Sequence, residues 1–174
     1  ILHSKKGSKD HPTFHYAIRV AVEGGNPYDS TYLQERAKKD GLATEVYPWI
    51  YPPPALLGFS WTLPFSVSIT QTMSWILNQI CVAGILLVLW RWIRAPVILL
   101  GVVLALYSPL QHNFQVGQIN PMIALLATWG FWRSSGVGIA AAAWIKMSPV
   151  ILLLPWILRQ QWRSVGIAMG SSVV

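Results

Sequence analysis

The placing of the carboxylates constrains this chain more than any other feature. All six acidic residues (Asp10, Glu23, Asp29, Glu35, Asp40 and Glu45) fall within the first 45 of 174 positions. From Val46 to Val174 there is none, and only Arg91, Arg94, Arg133, Lys146, Arg159 and Arg163 carry formal charge. A soluble domain needs about 25% charged residues to cover its surface, and this chain has 11%. Apolar runs with so little polar cover fit a bilayer and not an aqueous core. The expected fold is all-α and polytopic, crossing the membrane on helices and joined to a partly helical extramembrane segment.

The net charge of +7 does not indicate a nucleic-acid partner. Beyond residue 45 the cations stand singly between apolar runs, whereas nucleic-acid binders gather them on one face. Cys81 is the single cysteine, so there is no disulfide framework and no thiolate metal site. The chain opens on Ile1 and stops within an apolar stretch, Ser164 to Val174. It reads as a piece of a longer protein, with one span expected upstream and several downstream.

Residues 1–48 form the polar part. Asp10-His11-Pro12 predicts a helix start with Asp10 as N-cap, and Gly24-Gly25 predicts its end. Asn26-Pro27-Tyr28-Asp29 reads as a turn, followed by a short charged helix through Tyr32 to Lys39 that closes at Asp40-Gly41. The aromatic and proline-rich Tyr47-Pro48-Trp49-Ile50-Tyr51-Pro52-Pro53-Pro54 suits a return to the membrane interface. Residues 49–174 then carry the hydrophobic runs: Ala55–Phe65 with Ser66–Trp90, Pro96–Leu110, Asn120–Trp132, Gly136–Lys146, Val150–Leu158 and one opening at Ser164. Gly136–Lys146 and Val150–Leu158 are shorter than the ~20 residues of a full span, which fits either broken helices or one longer hairpin.

The connectors separate by charge. Trp90-Arg91-Trp92-Ile93-Arg94, Trp132-Arg133 and Arg159-Gln160-Gln161-Trp162-Arg163 alternate with Gln111–Asn120 and Lys146-Met147-Ser148-Pro149. The positive-inside rule assigns the arginine connectors to the cytoplasm. Residues 1–48, Gln111–Asn120 and Lys146 then face outward, and the chain is expected to be a multi-pass protein of the cell membrane.

Four groups can carry chemistry. Asp10 is either an N-cap or a general base, and the two are compatible because a helix N-terminus attracts negative charge. Asp29, in its turn, is the second-choice acid. The stretch Gln111 to Asn120 is either a solvated hairpin loop or a sugar pocket offered by His112, Gln115, Gln118 and Asn120, since each amide both donates and accepts. Lys146, among apolar residues, either snorkels to the interface or meets an anionic phosphate. His11 and His15 form an i, i+4 pair with no third metal ligand nearby, which suggests an ordinary surface helix, and His3 adds no ligand spacing. No metal or other cofactor is expected.

Several short motifs follow one another in order: Asp10 with Tyr16, Gly24-Gly25-Asn26-Pro27-Tyr28-Asp29, Tyr51-Pro52-Pro53, Gly117-Gln118-Ile119-Asn120 and Lys146-Met147-Ser148-Pro149. From about residue 8 to residue 163 the chain resembles glycosyltransferase family 87, membrane enzymes of the GT-C fold that use polyprenyl-phosphate mannose. The resemblance implies a GT-C-like arrangement, a polyprenyl-phosphate-linked sugar donor, a lipid or glycan acceptor and an inverting transfer outside the cytoplasm. It also implies a catalytic aspartate early in the first extracytoplasmic loop, the place that Asp10 holds. His11-Pro12 departs from the aromatic or aliphatic residue usual after that aspartate. On these readings Asp10 is the base, Lys146 meets the donor phosphate, and membrane lipids surround the apolar helices. The other reading, which needs no such base, is a transporter or flippase for a lipid-linked or small polar substrate.

Overall fold

The computed structural model describes residues 10–171, so His3 and the last residues of the run to Val174 lie outside the described part. Every regular element in it is helical. The chain divides into two compact units, one containing residues 10–76 and His112–Gln118, the other Leu77–Gln111 and residues 119–171.

The first unit is built on α1 (His11–Val22), which packs against α2 (Ser30–Lys39) and the short α3 (Pro53–Leu57). Pro12 sits in the first turn, where its missing N–H costs nothing, and Gly24 turns the chain out of the helix at φ +81°. His11 to Ile18 are buried without a break. This corrects the surface-helix expectation for His11 and His15, each 1% exposed: α1 is enclosed and shows no solvent face there. Asp29 caps α2, its carboxylate accepting from the Thr31 N–H at 2.8 Å, and Gly41 at φ +79° follows its end.

Side chains from both helices pin the segment that leads back towards the apolar part. The Thr13 hydroxyl donates to the Tyr47 carbonyl at 3.1 Å, and Gln34 Oε1 accepts from the Val46 N–H at 2.9 Å. Phe14 stacks on Phe59 at 4.8 Å, with Trp49 and Tyr51 against the same ring at 6.0 and 5.4 Å. Arg19 donates to the carbonyls of Leu63 and Phe65, at 3.1 and 2.9 Å, and so holds the residues just before α4 (Val67–Ile93).

Among the described residues, α4 is the one helix long and apolar enough to cross a membrane by itself. Its 27 residues exceed the ~20 that a bilayer requires, and only 22% of its most apolar window is buried. α5 (Val97–Leu106) and α6 (Ser108–Val116) pass the same test together, as a pair bent by 62°. The loop reading of Gln111–Asn120 is thereby corrected: its first six residues continue α6, and Gly117 at φ +74° ends the helix.

In the second unit α7 (Asn120–Arg133), α8 (Gly136–Ile145) and α10 (Trp162–Ser171) surround a core of Ala127, Ile139, Trp156 and Val165. The chain between them forms a 3-10 turn over Ser148–Leu153 and a short α9 (Leu154–Leu158). The predicted short runs are therefore two short segments, and the 3-10 turn packs back on α8. Small residues permit close approach: a Cβ on Gly138 would lie 2.7 Å from Gly130 Cα and from the Leu126 carbonyl.

Candidate active site

Asp10 stands at the N-terminus of α1 as expected, but its side chain makes no capping bond. The backbone carbonyl of Asp10 takes over the Thr13 N–H at 3.0 Å, which frees the carboxylate for other partners. That carboxylate accepts from Gln118: Nε2 donates to Oδ2 at 2.6 Å, across 108 positions of sequence. The Asp10 N–H donates to the Val116 carbonyl at 3.0 Å, so the end of α6 grips this one residue through backbone and side chain together. No described residue donates a hydrogen bond to Oδ1.

Tyr51 shares the field of the same carboxylate. Burial pushes its phenol up to about 12, and the Asp10 charge adds to the effect, so the hydroxyl stays protonated at physiological pH. Its backbone carbonyl accepts from the Tyr28 hydroxyl at 3.2 Å. Next to Asp10 in sequence, His11 Nε2 lies 3.0 Å from Thr70 Oγ1, which itself donates to the Val67 carbonyl at 2.9 Å. With the threonine proton committed to Val67, the bond requires the Nε2–H tautomer of His11. Desolvation lowers His11 to about 4, with His15 adding to it, so the ring is neutral and adds no positive charge beside Asp10.

The structure brings Asp10 and Gln118 together within one unit. Asp29 serves α2 as its cap. His112 and Gln115 are exposed on α6, in the same unit as Asp10. Asn120 opens α7 and Lys146 follows α8, both half-buried in the second unit. Lys146 leaves the helix in extended backbone, φ −148° and ψ 128°, and none of the ion pairs among the described residues involves it. Sequence reasoning did not single out Tyr51, which feels the Asp10 charge, or Asn113, whose Nδ2 donates to the Gln118 carbonyl. The one signal for Asn113 was its place before Gly117, a pattern typical of a helix C-terminus.

No cluster of three or more histidine, cysteine or carboxylate side chains is assembled among the described residues. The family model for glycosyltransferase family 87 matches residues 49–174, most of the chain, including Tyr51, Gln118, Asn120 and Lys146. The chain belongs to glycosyltransferase family 87. Membership makes this family 87 chain a glycosyltransferase, the enzyme reading over the transporter one, and implies a sugar donor and an acceptor. Asp10 lies ahead of the matched region, and it is tied to the family 87 part by the hydrogen bond from Gln118 and by its own N–H to the Val116 carbonyl. No curated protein and no solved structure matches the chain.

Proposed function

We propose that this family 87 member is a multi-pass membrane enzyme that moves a sugar, mannose by family resemblance, from polyprenyl phosphate to a lipid or glycan acceptor. Residues 1–48 form an extracytoplasmic loop and residues 49–174 the membrane helices. The single observation that carries the reading is the Asp10 carboxylate, released from capping and oriented by Gln118 through Oδ2. The acceptor hydroxyl gives its proton to Oδ1 while its oxygen attacks the anomeric carbon. The bond from that carbon to the donor phosphate breaks, and its electron pair leaves with the polyprenyl phosphate. Attack opposite the leaving group inverts the anomeric centre, and Asp10 then returns the proton to water. A positioned base of this kind contributes about 10²–10⁴-fold.

The developing phosphate charge calls for a cation. Lys146 is the proposed one, with His112, Gln115 and Asn120 as sugar or phosphate contacts. Gln118, also expected from the sequence in the sugar or phosphate pocket, orients the base through Nε2. Asp29 has its carboxylate committed to a helix cap and is the weaker choice. The exposed apolar faces of α4 and α5, with Ile98 83% and Leu106 75% exposed, support a lipid surrounding in which a polyprenyl tail dissolves.

The test is Asp10→Asn, assayed for transfer from polyprenyl-phosphate mannose into membrane lipids. Expected is a loss of at least about 10²-fold with insertion and expression unchanged. Asp29→Asn, whose amide oxygen still caps α2, is expected to lose little stability and little turnover. Near-normal transfer by Asp10→Asn would overturn the assignment.

A further inference from the structure

We infer that Asn113 is a positioning residue for this transfer, holding the Gln118 amide that in turn holds Asp10. The inference rests on Asp10 being the base, and it adds a residue that the family match and the sequence motifs leave without a role.

Asn113 is 4% exposed and lies one turn from the end of α6. Its backbone carbonyl accepts the N–H groups of Gly117 and Gln118, at 3.0 and 3.1 Å, the pattern of a helix closed by a left-handed glycine. Its side-chain Nδ2 donates to the Gln118 carbonyl at 3.1 Å. Both polar groups of the Gln118 backbone are therefore held by the same residue. From that clamped position Gln118 reaches Asp10 Oδ2 at 2.6 Å.

The other end of the Asn113 amide carries the argument further. Oδ1 is buried and has no hydrogen-bond partner among the described residues. An orphaned buried acceptor destabilises a fold, and a leucine of similar shape would avoid that cost. The contact that Asn113 does make is the one that orients Gln118. A flipped amide would set Oδ1 against the Gln118 carbonyl, acceptor against acceptor, so the orientation is fixed. A site in which the base is itself gripped keeps the free carboxylate oxygen in register with the incoming hydroxyl, and small displacements there are costly.

The experiment is a double-mutant cycle in the full-length enzyme, using Asn113→Leu, Gln118→Met and the pair, with Asp10→Asn in parallel. The assay is transfer from radiolabelled polyprenyl-phosphate mannose into the lipid fraction of cell membranes. Each single change is expected to lower kcat by about 10- to 100-fold, with the donor KM and the melting temperature unchanged. The double variant is expected to be no slower than the slower single one. Asn113→Asp, which keeps the shape but exchanges the donor for an acceptor, is expected to show the same loss and serves if Asn113→Leu does not insert. Effects that multiply independently, or a loss of kcat that tracks a fall in melting temperature, would overturn the positioning role. If Asp10→Asn is inactive while the two effects multiply, this inference alone falls. If Asp10→Asn is active, the base assignment falls and takes this inference with it.

Discussion

At the scale of single residues, two kinds of buried charge problem shape the protein. In the first unit, His11 and His15 are enclosed in α1, and burial lowers each to about 4, helped at His15 by Arg19. The unfolded chain takes up protons on both rings near pH 6.5, while the folded one refuses them until about pH 4. Stability is therefore full above pH 6.5 and falls as pH drops through that window towards about pH 4. Melting of the detergent-solubilised protein across pH 4 to 7 should show this slope, and His15→Asn should make it shallower while leaving the part that His11 contributes. In the second unit Lys146 has no carboxylate in its half of the sequence to pair with, since none occurs after Glu45. A cation at a helix centre in the membrane costs roughly 2.5–3.5 kcal/mol, less near the interface, and a lipid phosphate would offset it. Lys146→Met is expected to weaken donor binding by about 10- to 100-fold with stability equal or higher, and Lys146→Arg to recover part of it. Wild-type donor binding by Lys146→Met would favour simple snorkelling.

At the scale of elements, the sequence located most helices because their signals are local. Pro12 and Gly24 bracket α1, Asp29 and Gly41 bracket α2, and the apolar run from Ser66 predicted α4 to within a few residues. It failed over Gln111–Val116, where polar residues suggested a loop and the chain forms α6. Polarity there reports what α6 faces and not its backbone, because glutamine and asparagine are tolerated in helices whose polar groups find partners. The short α8 succeeds through close packing. A methyl group on Gly138 would meet backbone atoms of α7 that cannot turn aside, so Gly138→Ala is expected to destabilise by about 1–3 kcal/mol. Gly166 in α10 has open space at its Cβ position, and Gly166→Ala should be neutral or stabilising by up to about 1 kcal/mol. Thermal melts of the two variants side by side check the contrast.

At the scale of the whole molecule, the charge pattern makes a topological prediction. In a Cys81→Ser background, cysteines at the exposed positions Ala43 and Met147 should react with an impermeant thiol reagent from outside, and one at Gln161 should not. Labelling at Gln161 with protection at Ala43 would invert the proposed orientation and remove the active site from the extracytoplasmic face. The helical class, the polar first segment and the apolar remainder were all legible in the sequence, because hydropathy and helix-end chemistry act over a few neighbouring residues. The same local reading placed Asp10 correctly at a helix start, but it could not tell whether the carboxylate would cap that helix. Only tertiary structure decided this, by bringing Gln118 to Oδ2 from 108 positions away and leaving the capping bond unmade. It likewise decided that His11 and His15 are enclosed, and that Asn113 spends its one satisfied side-chain bond on Gln118. Contacts between residues far apart in sequence depend on how helices pack, and packing is a property of surfaces that no short motif spells out.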